Sequence, residues 1–151
     1  MPDILITGTN SFIGSNFIRY SKFRIVSEVS LITSNPEQID FSGINVVIHL
    51  AAITHQKRKL DWSEYYKVNS ELPVRVAENA RGKGIKHFIF MSTVKVYGEY
   101  LNRTTPWNEY SECLTSDNYG KSKFAAEKEL RKLDSEDFRV SIIRTPIVYG
   151  D

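Results

Sequence analysis

Tyr119 and Lys123 stand four residues apart in a stretch of helical period, so they share one helix face, a single turn apart. An ammonium beside a phenol favours the phenolate, which brings a weak acid towards the pH at which it can take up a proton. On an exposed face such a pair has no consequence, and the context decides its weight. Ser92-Thr93 closes the apolar run that starts at Phe88, and the carboxyl ends of strands are where open α/β sheets hold their ligands. A hydroxyl placed there, beside the phenol, makes an acid/base site.

A second group of residues has the chemistry of anion binding. The stretch Thr7-Gly8-Thr9-Asn10-Ser11-Phe12-Ile13-Gly14 follows directly on the apolar Ile4-Leu5-Ile6. A phosphate needs backbone N–H groups pointing at it and little side-chain bulk in the way, and a strand, a glycine turn and a helix N-terminus supply both. Gly8 and Gly14 fit those roles, while Ser11 stands where the usual fingerprint has a middle glycine. The alternative is an ordinary β-turn, and its position after a first strand favours the nucleotide site.

These residues need strands and helices to carry them. Ile4 to Thr7 reads as a first strand, Ile13 to Tyr20 as a helix and Glu28 to Ile32 as a second strand. Val46 to Leu50 is a nearly continuous apolar run, as expected of a strand covered on both faces. From Glu64 to Arg81, Val68, Leu72, Val76 and Ala80 recur at every fourth position and form one helix face. Pro73 interrupts that helix and predicts a kink; Gly82 and Gly84 supply its stop. Phe88 to Ser92, Tyr119 to Leu133 and Val140 to Arg144 read as strand, helix and last strand. Only about a dozen residues separate the second strand from Val46, too few for another helix and strand, so the sheet is expected to have about five strands. The fold class expected is a Rossmann-type, doubly wound α/β fold with a parallel sheet and its third strand shortened or absent. Between Gly98 and Asn118 the chain is polar and aromatic without a period, and a loop of that length in a compact domain usually carries function.

The 151 residues suffice for one domain with a real core. A net charge of +2 says little about partners. The basic residues are spread out, and the tightest group, Lys57-Arg58-Lys59, reads as a solvated loop, so nucleic acid is not an expected partner. Cys113 is the only cysteine, which rules out an internal disulfide and a cysteine-built metal site within this chain and fits a reducing, cytoplasmic setting. No metal is expected. No run approaches the roughly 18 apolar residues of a membrane span, and Met1-Pro2-Asp3 opens no basic and apolar leader.

Thr7-Gly8…Gly14, His49-Leu50-Ala51-Ala52, Asn69, Ser92-Thr93…Val96-Tyr97-Gly98, Tyr119-Gly120-Lys121-Ser122-Lys123 and Arg144-Thr145-Pro146…Val148-Tyr149-Gly150 resemble, in order and spacing, the extended short-chain dehydrogenase/reductases. The likeness covers the whole chain and is closest to the NAD-dependent epimerase/dehydratase group acting on nucleotide sugars. It implies that Gly8, Asn10, Ser11, Phe12, Ile13 and Gly14 form a pyrophosphate turn, and that Asp40-Phe41 lies beside adenine. It further implies that Leu50, Ala51 and Ala52 line the cofactor, that Asn69 braces that region, and that Pro146 and Val148 flank the nicotinamide. Tyr119 would be the acid/base, Lys123 would hold the nicotinamide ribose and tune the tyrosine, and Thr93 would bind the reacting hydroxyl. The acidic residue that usually reads the adenosine ribose is missing from Leu31-Ile32-Thr33-Ser34-Asn35; Thr33 to Asn35 are its expected polar substitutes. NAD is favoured because no arginine sits there, and NADP stays open. Simpler roles compete: Ala51 and Ala52 as close-packing residues, His49 as a structural strand-end histidine, Tyr97 and Tyr149 as core aromatics. His55 and His87 have no partner identifiable from the sequence.

A 4,6-dehydratase of this family carries Asp-Glu after the threonine, and Val94-Lys95 occupies those places here. The implied reaction is therefore that of a UDP-hexose or UDP-N-acetylhexosamine 4-epimerase passing through a 4-keto sugar, with an NAD(P)H-dependent 4-keto-sugar reductase as the alternative. A non-catalytic dinucleotide-binding module is a reading of another class, and the intact Thr93, Tyr119 and Lys123 argue against it. Relatives continue well past the last motif into a smaller sugar-nucleotide domain, whereas this sequence stops at Asp151. The expectation is a truncated form that binds the dinucleotide and turns over poorly or not at all. Relatives also pair through the two long helices, here Glu64 to Arg81 and Tyr119 to Leu133, which implies a homodimer with a four-helix interface.

Overall fold

Apolar runs that are continuous rather than alternating bury both faces of a strand, and the two most continuous runs here lie inside the sheet. The computed structural model describes residues 3–23, 25–54, 60–98 and 104–150. Its strands are β1 (Ile4–Thr7), β2 (Ile25–Val29), β3 (Val46–His49), β4 (His87–Thr93) and β5 (Arg139–Thr145). They form one parallel sheet in the order β2-β1-β3-β4-β5. Among the described residues no strand lies between β2 and β3. A 3₁₀ turn, Pro36–Gln38, and the core residues Ile39, Phe41 and Ile44 fill that span. The five-stranded sheet without the usual third strand is as expected.

Helices cover both faces. α1 (Phe12–Tyr20) lies over Ile4, Ile6 and Ile48, with Phe17 packed against them. The other face carries the larger core, in which Leu5, Val47, Phe88 and Phe90 of the sheet meet Val76, Ala77, Ala80, Ala126 and Leu130. Those five come from α3 (Leu72–Gly82) and α4 (Asn118–Leu133). Successive residues of β1 therefore feed opposite layers, as a strand's period of two requires.

Three expectations need correction. The second strand ends at Val29 instead of Ile32. In its register with β1, Thr7 faces Val29, and β1 stops there because Gly8 turns away; Gly8 N donates to Val29 O at 3.0 Å. Leu31 and Ile32 thus fall beyond the ladder despite their apolar character. Pro73 does interrupt the α pattern, but the interruption falls one turn before it and does not end the helix. α2 (Trp62–Tyr66) runs into a π-helical turn, Lys67–Glu71, which leads straight into α3. There the Leu72 amide reaches back five residues to Lys67 O, and Pro73, in the first turn of α3, has no N–H to place. Finally, Tyr149 is no core aromatic, being 89% exposed.

Tyr97, by contrast, is buried. His87 does have a partner: its Nε2 lies 2.8 Å from Ser141 Oγ across β4 and β5. His55 and the Lys57-Arg58-Lys59 trio lie outside the described residues.

Phe88 sits at the centre of the larger core, fully buried, with its ring against those of His49 and Phe138. Phe88→Ala should cost about 3–5 kcal/mol, the usual range for a large aromatic removed from a packed interior. Urea unfolding followed by circular dichroism measures it, and a loss under about 1 kcal/mol would contradict this account of the core.

Candidate functional site

The turn after β1 is built from backbone constraints. Gly8 has φ +99°, and a Cβ added there would lie 2.6 Å from Ala51 N, so only glycine permits this approach of β1 to the segment after β3. At Gly14 an added Cβ would meet Ser11 Oγ at 2.7 Å and Leu50 Cδ1 at 3.2 Å, which shows how closely α1 presses on the sheet. Ser11 is in extended conformation, φ −72° and ψ 143°, and caps α1 by accepting from Gly14 N at 3.0 Å. That position needs no glycine, and a serine there satisfies one of the helix's free donors. Asn10 takes φ +59°, a conformation asparagine tolerates better than most residues. Helix geometry leaves the amides of Phe12 and Ile13 without intrahelical acceptors, at the positive end of the helix dipole.

Beside this turn opens a cleft of about 540 Å³ at the carboxyl ends of β1, β2 and β3. It is lined by Gly8, Thr9 and Ser11 from the turn, by Ser30, Leu31 and Ile32 after β2, and by Leu50 to Ile53 after β3, with Val68 and Leu72 closing it. Its size is that of a cofactor site. Among the described residues no acidic side chain lines it, so glycine backbone, helix N-terminus and neutral walls together fit an anionic dinucleotide. Of the residues expected there, Gly8, Ser11, Leu50, Ala51 and Ala52 line the cleft, and Gly14 is buried behind it.

Several others lie elsewhere. Ser30 and Leu31, not Thr33 to Asn35, reach the cleft; Asn35 instead caps the 3₁₀ turn, accepting from Glu37 N at 3.2 Å. Phe41 is packed in the core, and the exposed Asp40 carboxylate accepts from Ser42 N at 2.9 Å. Pro146 and Val148 are exposed beyond β5.

Asn69 joins the cleft to the helix that carries the tyrosine. Its Oδ1 accepts from Ile53 N and its Nδ2 donates to Ile53 O, both at 2.8 Å, as a neighbouring strand would. The same Nδ2 lies 3.1 Å from Ser122 Oγ on α4, and the next residue, Ser70, donates to Ser122 O at 2.6 Å. The π-helical turn brings both buried side chains to bear.

At the carboxyl end of β4, Thr93 hydrogen-bonds the Tyr119 side chain. Burial pushes the phenol above its ordinary value, the Thr93 bond acts against this, and the Asp117 charge adds to it. The resting group is therefore the phenol, and the spacing of Tyr119 and Lys123 does not by itself set its protonation. Lys123 is buried, with its Nζ 3.9 Å from the centre of the Phe90 ring. Burial lowers its pKa to about 7, opposed by the charge of Glu127 one turn further on. His49 is buried, its Nδ1 lying 2.9 Å from Thr7 Oγ1, and burial, then the Lys123 charge, hold it neutral at about 3. It is a structural histidine.

Glu127 and Arg144 form a second layer under the trio that the sequence reading missed. Glu127 is fully buried and takes Arg144 Nη2 on Oε2 at 2.6 Å and Arg144 Nε at 3.1 Å. Ser92 Oγ donates to its Oε1 at 2.5 Å. Arg144 Nη1 donates to Tyr97 OH at 2.9 Å, and that hydroxyl donates to Asn108 O at 2.8 Å. The signal in the sequence was a helix face made of Ser122, Lys123, Ala126, Glu127 and Leu130, polar where a buried face is normally apolar.

Among the described residues no group of histidine, cysteine and carboxylate side chains is placed to hold a metal, and no helix is long and apolar enough to cross a membrane.

A sequence model of the NAD dependent epimerase/dehydratase family matches residues 4–151. The chain is 31% identical over 174 residues to a UDP-glucose 4-epimerase of Vibrio cholerae, covering 99% of this chain and 53% of that protein. It is 34% identical over 113 residues to an N-acetyl-alpha-D-glucosaminyl-diphospho-ditrans,octacis-undecaprenol 4-epimerase of Escherichia coli O157:H7, covering 73% and 33%. The chain thus spans about half the length, or less, of these curated relatives. In fold it is similar to the UDP-glucuronic acid 4-epimerase from Bacillus cereus in complex with NAD, with TM-score 0.79 at 22% identity, covering 98% of this chain and 58% of that one.

Two outcomes follow from the buried charges. Glu127→Ala leaves Arg144 without its counter-charge and should cost about 3–5 kcal/mol. The double variant with Arg144→Ala should cost clearly less than the sum of the single losses; additive losses in urea unfolding would show that the pair does not act as one unit. Because the folded pKa of Lys123 is lowered to about 7 from 10.5, the unfolded chain holds that proton over the intervening window, and stability should rise with pH across it. Lys123→Met should flatten this rise in urea midpoints compared at about pH 7 and 9.5, and an unchanged slope would mean that Lys123 does not titrate there.

Proposed function

The chain belongs to the NAD dependent epimerase/dehydratase family, and from that premise we propose that it is the dinucleotide-binding part of an NAD-dependent nucleotide-sugar 4-epimerase. The observation that carries this reading is the Thr93–Tyr119 hydrogen bond at the carboxyl end of β4, with Lys123 one turn along α4 and the glycine turn on the same edge of the sheet. The substrate class is a UDP-hexose or UDP-N-acetylhexosamine, a reading supported by the 4-epimerases to which the chain is similar.

In the proposed reaction Thr93 Oγ1 holds the sugar hydroxyl against Tyr119, and the phenolate form of Tyr119 accepts its proton. When bound, the nicotinamide supplies the acceptor, and later the donor, of the hydride. Burial makes the phenolate costly, so a cation must accompany it, and Lys123 is the cation one helical turn away. Lys123 also binds the ribose hydroxyls in this scheme. The 4-keto sugar then takes back its proton from Tyr119 after presenting its other face.

Gly8, Ser11 and the amides of Phe12 and Ile13 hold the pyrophosphate, with Asn10 shaping the turn and Gly14 letting α1 close on it. Leu50, Ala51 and Ala52 form the wall, and Asn69 fixes that wall to α4. Asp40, Pro146 and Val148, which do not line the cleft, are proposed to reach adenine and nicotinamide from its margins, whereas Phe41 is packed in the core. A homodimer through α2, α3 and α4 is supported by Trp62 and Tyr66, which are 41% and 37% exposed beside Phe124 in a shallow groove between α2 and α4.

Denaturing the purified protein should release NAD, identifiable by mass spectrometry. Adding UDP-hexose to the loaded protein should raise the near-ultraviolet absorbance of reduced nicotinamide. Tyr119→Phe should slow that change by about 10²–10⁴-fold and leave NAD affinity within about twofold. No affinity for NAD would sink the reading, and an unslowed Tyr119→Phe protein would remove the tyrosine from its role.

A further inference from the structure

Lys123 and Glu127 stand four residues apart on the buried face of α4, the spacing at which a lysine and a glutamate on one helix can meet. Among the described residues, however, Glu127 pairs with Arg144, and Lys123 rests on the Phe90 ring instead, its Nζ 3.9 Å from the ring centre. Both oxygens of the carboxylate are taken. Oε1 accepts from Ser92 Oγ at 2.5 Å and from Arg144 Nε at 3.1 Å, and Oε2 accepts from Arg144 Nη2 at 2.6 Å. Arg144 is itself held, its guanidinium carbon 4.8 Å from the centre of the Tyr97 ring, which stacks on Trp107.

Charge acts across this separation, whereas a hydrogen bond needs contact. The Glu127 charge still favours the ammonium form of Lys123, against the burial that lowers its pKa to about 7. A carboxylate released from the guanidinium fork would be left with a buried cation one turn back on its own helix face, and the two would close. The other ionisable groups packed around α4 offer Lys123 no such partner. His49 of β3 is neutral, Lys95 after β4 is half-buried and of like sign, and the Tyr65 phenol of α2 donates to Thr54 O. Glu64 of α2 is bonded to Asp61 N, and the charged side chains of the π-helical turn and α3 are exposed.

Resting on the dinucleotide site proposed above, we propose that Arg144 is a positioning residue for it: by occupying Glu127 it keeps that carboxylate off Lys123, so that the ammonium is compensated in charge yet keeps its N–H donors for the ribose hydroxyls. An ion pair with a purely structural role would respond in the same way to the loss of either partner. Here the two losses act on Lys123 in opposite directions. Without Arg144 the carboxylate captures the ammonium, and without the Glu127 charge the ammonium loses its compensation.

Urea midpoints of the 151-residue chain, taken between about pH 5 and 10, read the titration of Lys123, because its lowered folded pKa makes stability rise with pH from about 7. Arg144→Gln should move the start of that rise up by about one pH unit or more. Glu127→Gln, or its combination with Arg144→Gln where the single variant does not fold, should move it down. Lys123→Met in each background should abolish the difference. Arg144→Lys, which meets Glu127 at a point instead of as a fork, should give a smaller upward move and serves where Arg144→Gln does not fold. In calorimetry at about pH 6, where Lys123 is charged in wild type and variant alike, Arg144→Gln should bind NAD about tenfold more weakly. A start that moves the same way in both variants or stays in place, or an unchanged NAD affinity in the folded Arg144 variant, overturns the proposal. Failure of the wild-type chain to bind NAD overturns instead the dinucleotide reading on which it rests.

Discussion

A lysine ammonium taken out of water has to be compensated where it lies, and most of the carboxyl edge of this sheet is organised around that requirement. Lys123 is buried between the Phe90 ring and the next turn of α4, where Glu127 stands. Glu127 is itself buried and is matched by Arg144 of β5 and Ser92 of β4. Arg144 in turn holds Tyr97, whose hydroxyl fastens the chain at Asn108. One buried charge thus dictates the relative positions of two strands, a helix and the polar stretch before that helix, which together place Thr93 against Tyr119. A buried pair of this kind contributes little net stability, since desolvation offsets much of the attraction. Its main effect is to make any other arrangement of these elements worse.

The alternation of strands and helices, the missing third strand and the glycine turn were legible in the sequence because each rests on a local signal: apolar runs, spacing, and glycines where the backbone approaches too closely for a Cβ. Ser11 shows how a departure from the usual fingerprint resolves once its backbone is known, since an extended residue at a helix start is a natural place for a capping serine. The end of β2 was misplaced for the opposite reason. Val29, Leu31 and Ile32 extend the apolar pattern, but the strand lasts only as long as its neighbour β1, and that limit is a tertiary fact.

Glu127 and Arg144 were out of reach for a similar reason. They are 17 residues apart in sequence and meet only because α4 returns its buried face to β5. Taken alone, each looks like an ordinary surface charge. The helix from Trp62 to Gly82 was legible as a helix, and Pro73 as a disturbance in it, but periodicity could not reveal that the disturbance is absorbed one turn earlier by a change of hydrogen-bonding pattern.

That π-helical turn gives the chain an uneven tolerance of insertion and deletion. A π turn holds one residue more than an α turn in the same rise, so losing one residue between Lys67 and Glu71 would return that turn to the α pattern and set Pro73, which has no N–H to donate, inside a continuous helix. The helix would also be rotated by about a quarter turn or more on one side of the deletion. Either Asn69 and Ser70 would leave Ile53 and Ser122, or Val76, Ala77 and Ala80 would leave the core. A single-residue deletion here is therefore costly both locally, at Pro73, and in packing, whereas the turns on either side of Pro36–Gln38 can change length at much lower cost. Divergence in this lineage should therefore accumulate gaps after β2 while the length from Asp61 to Gly82 stays constant.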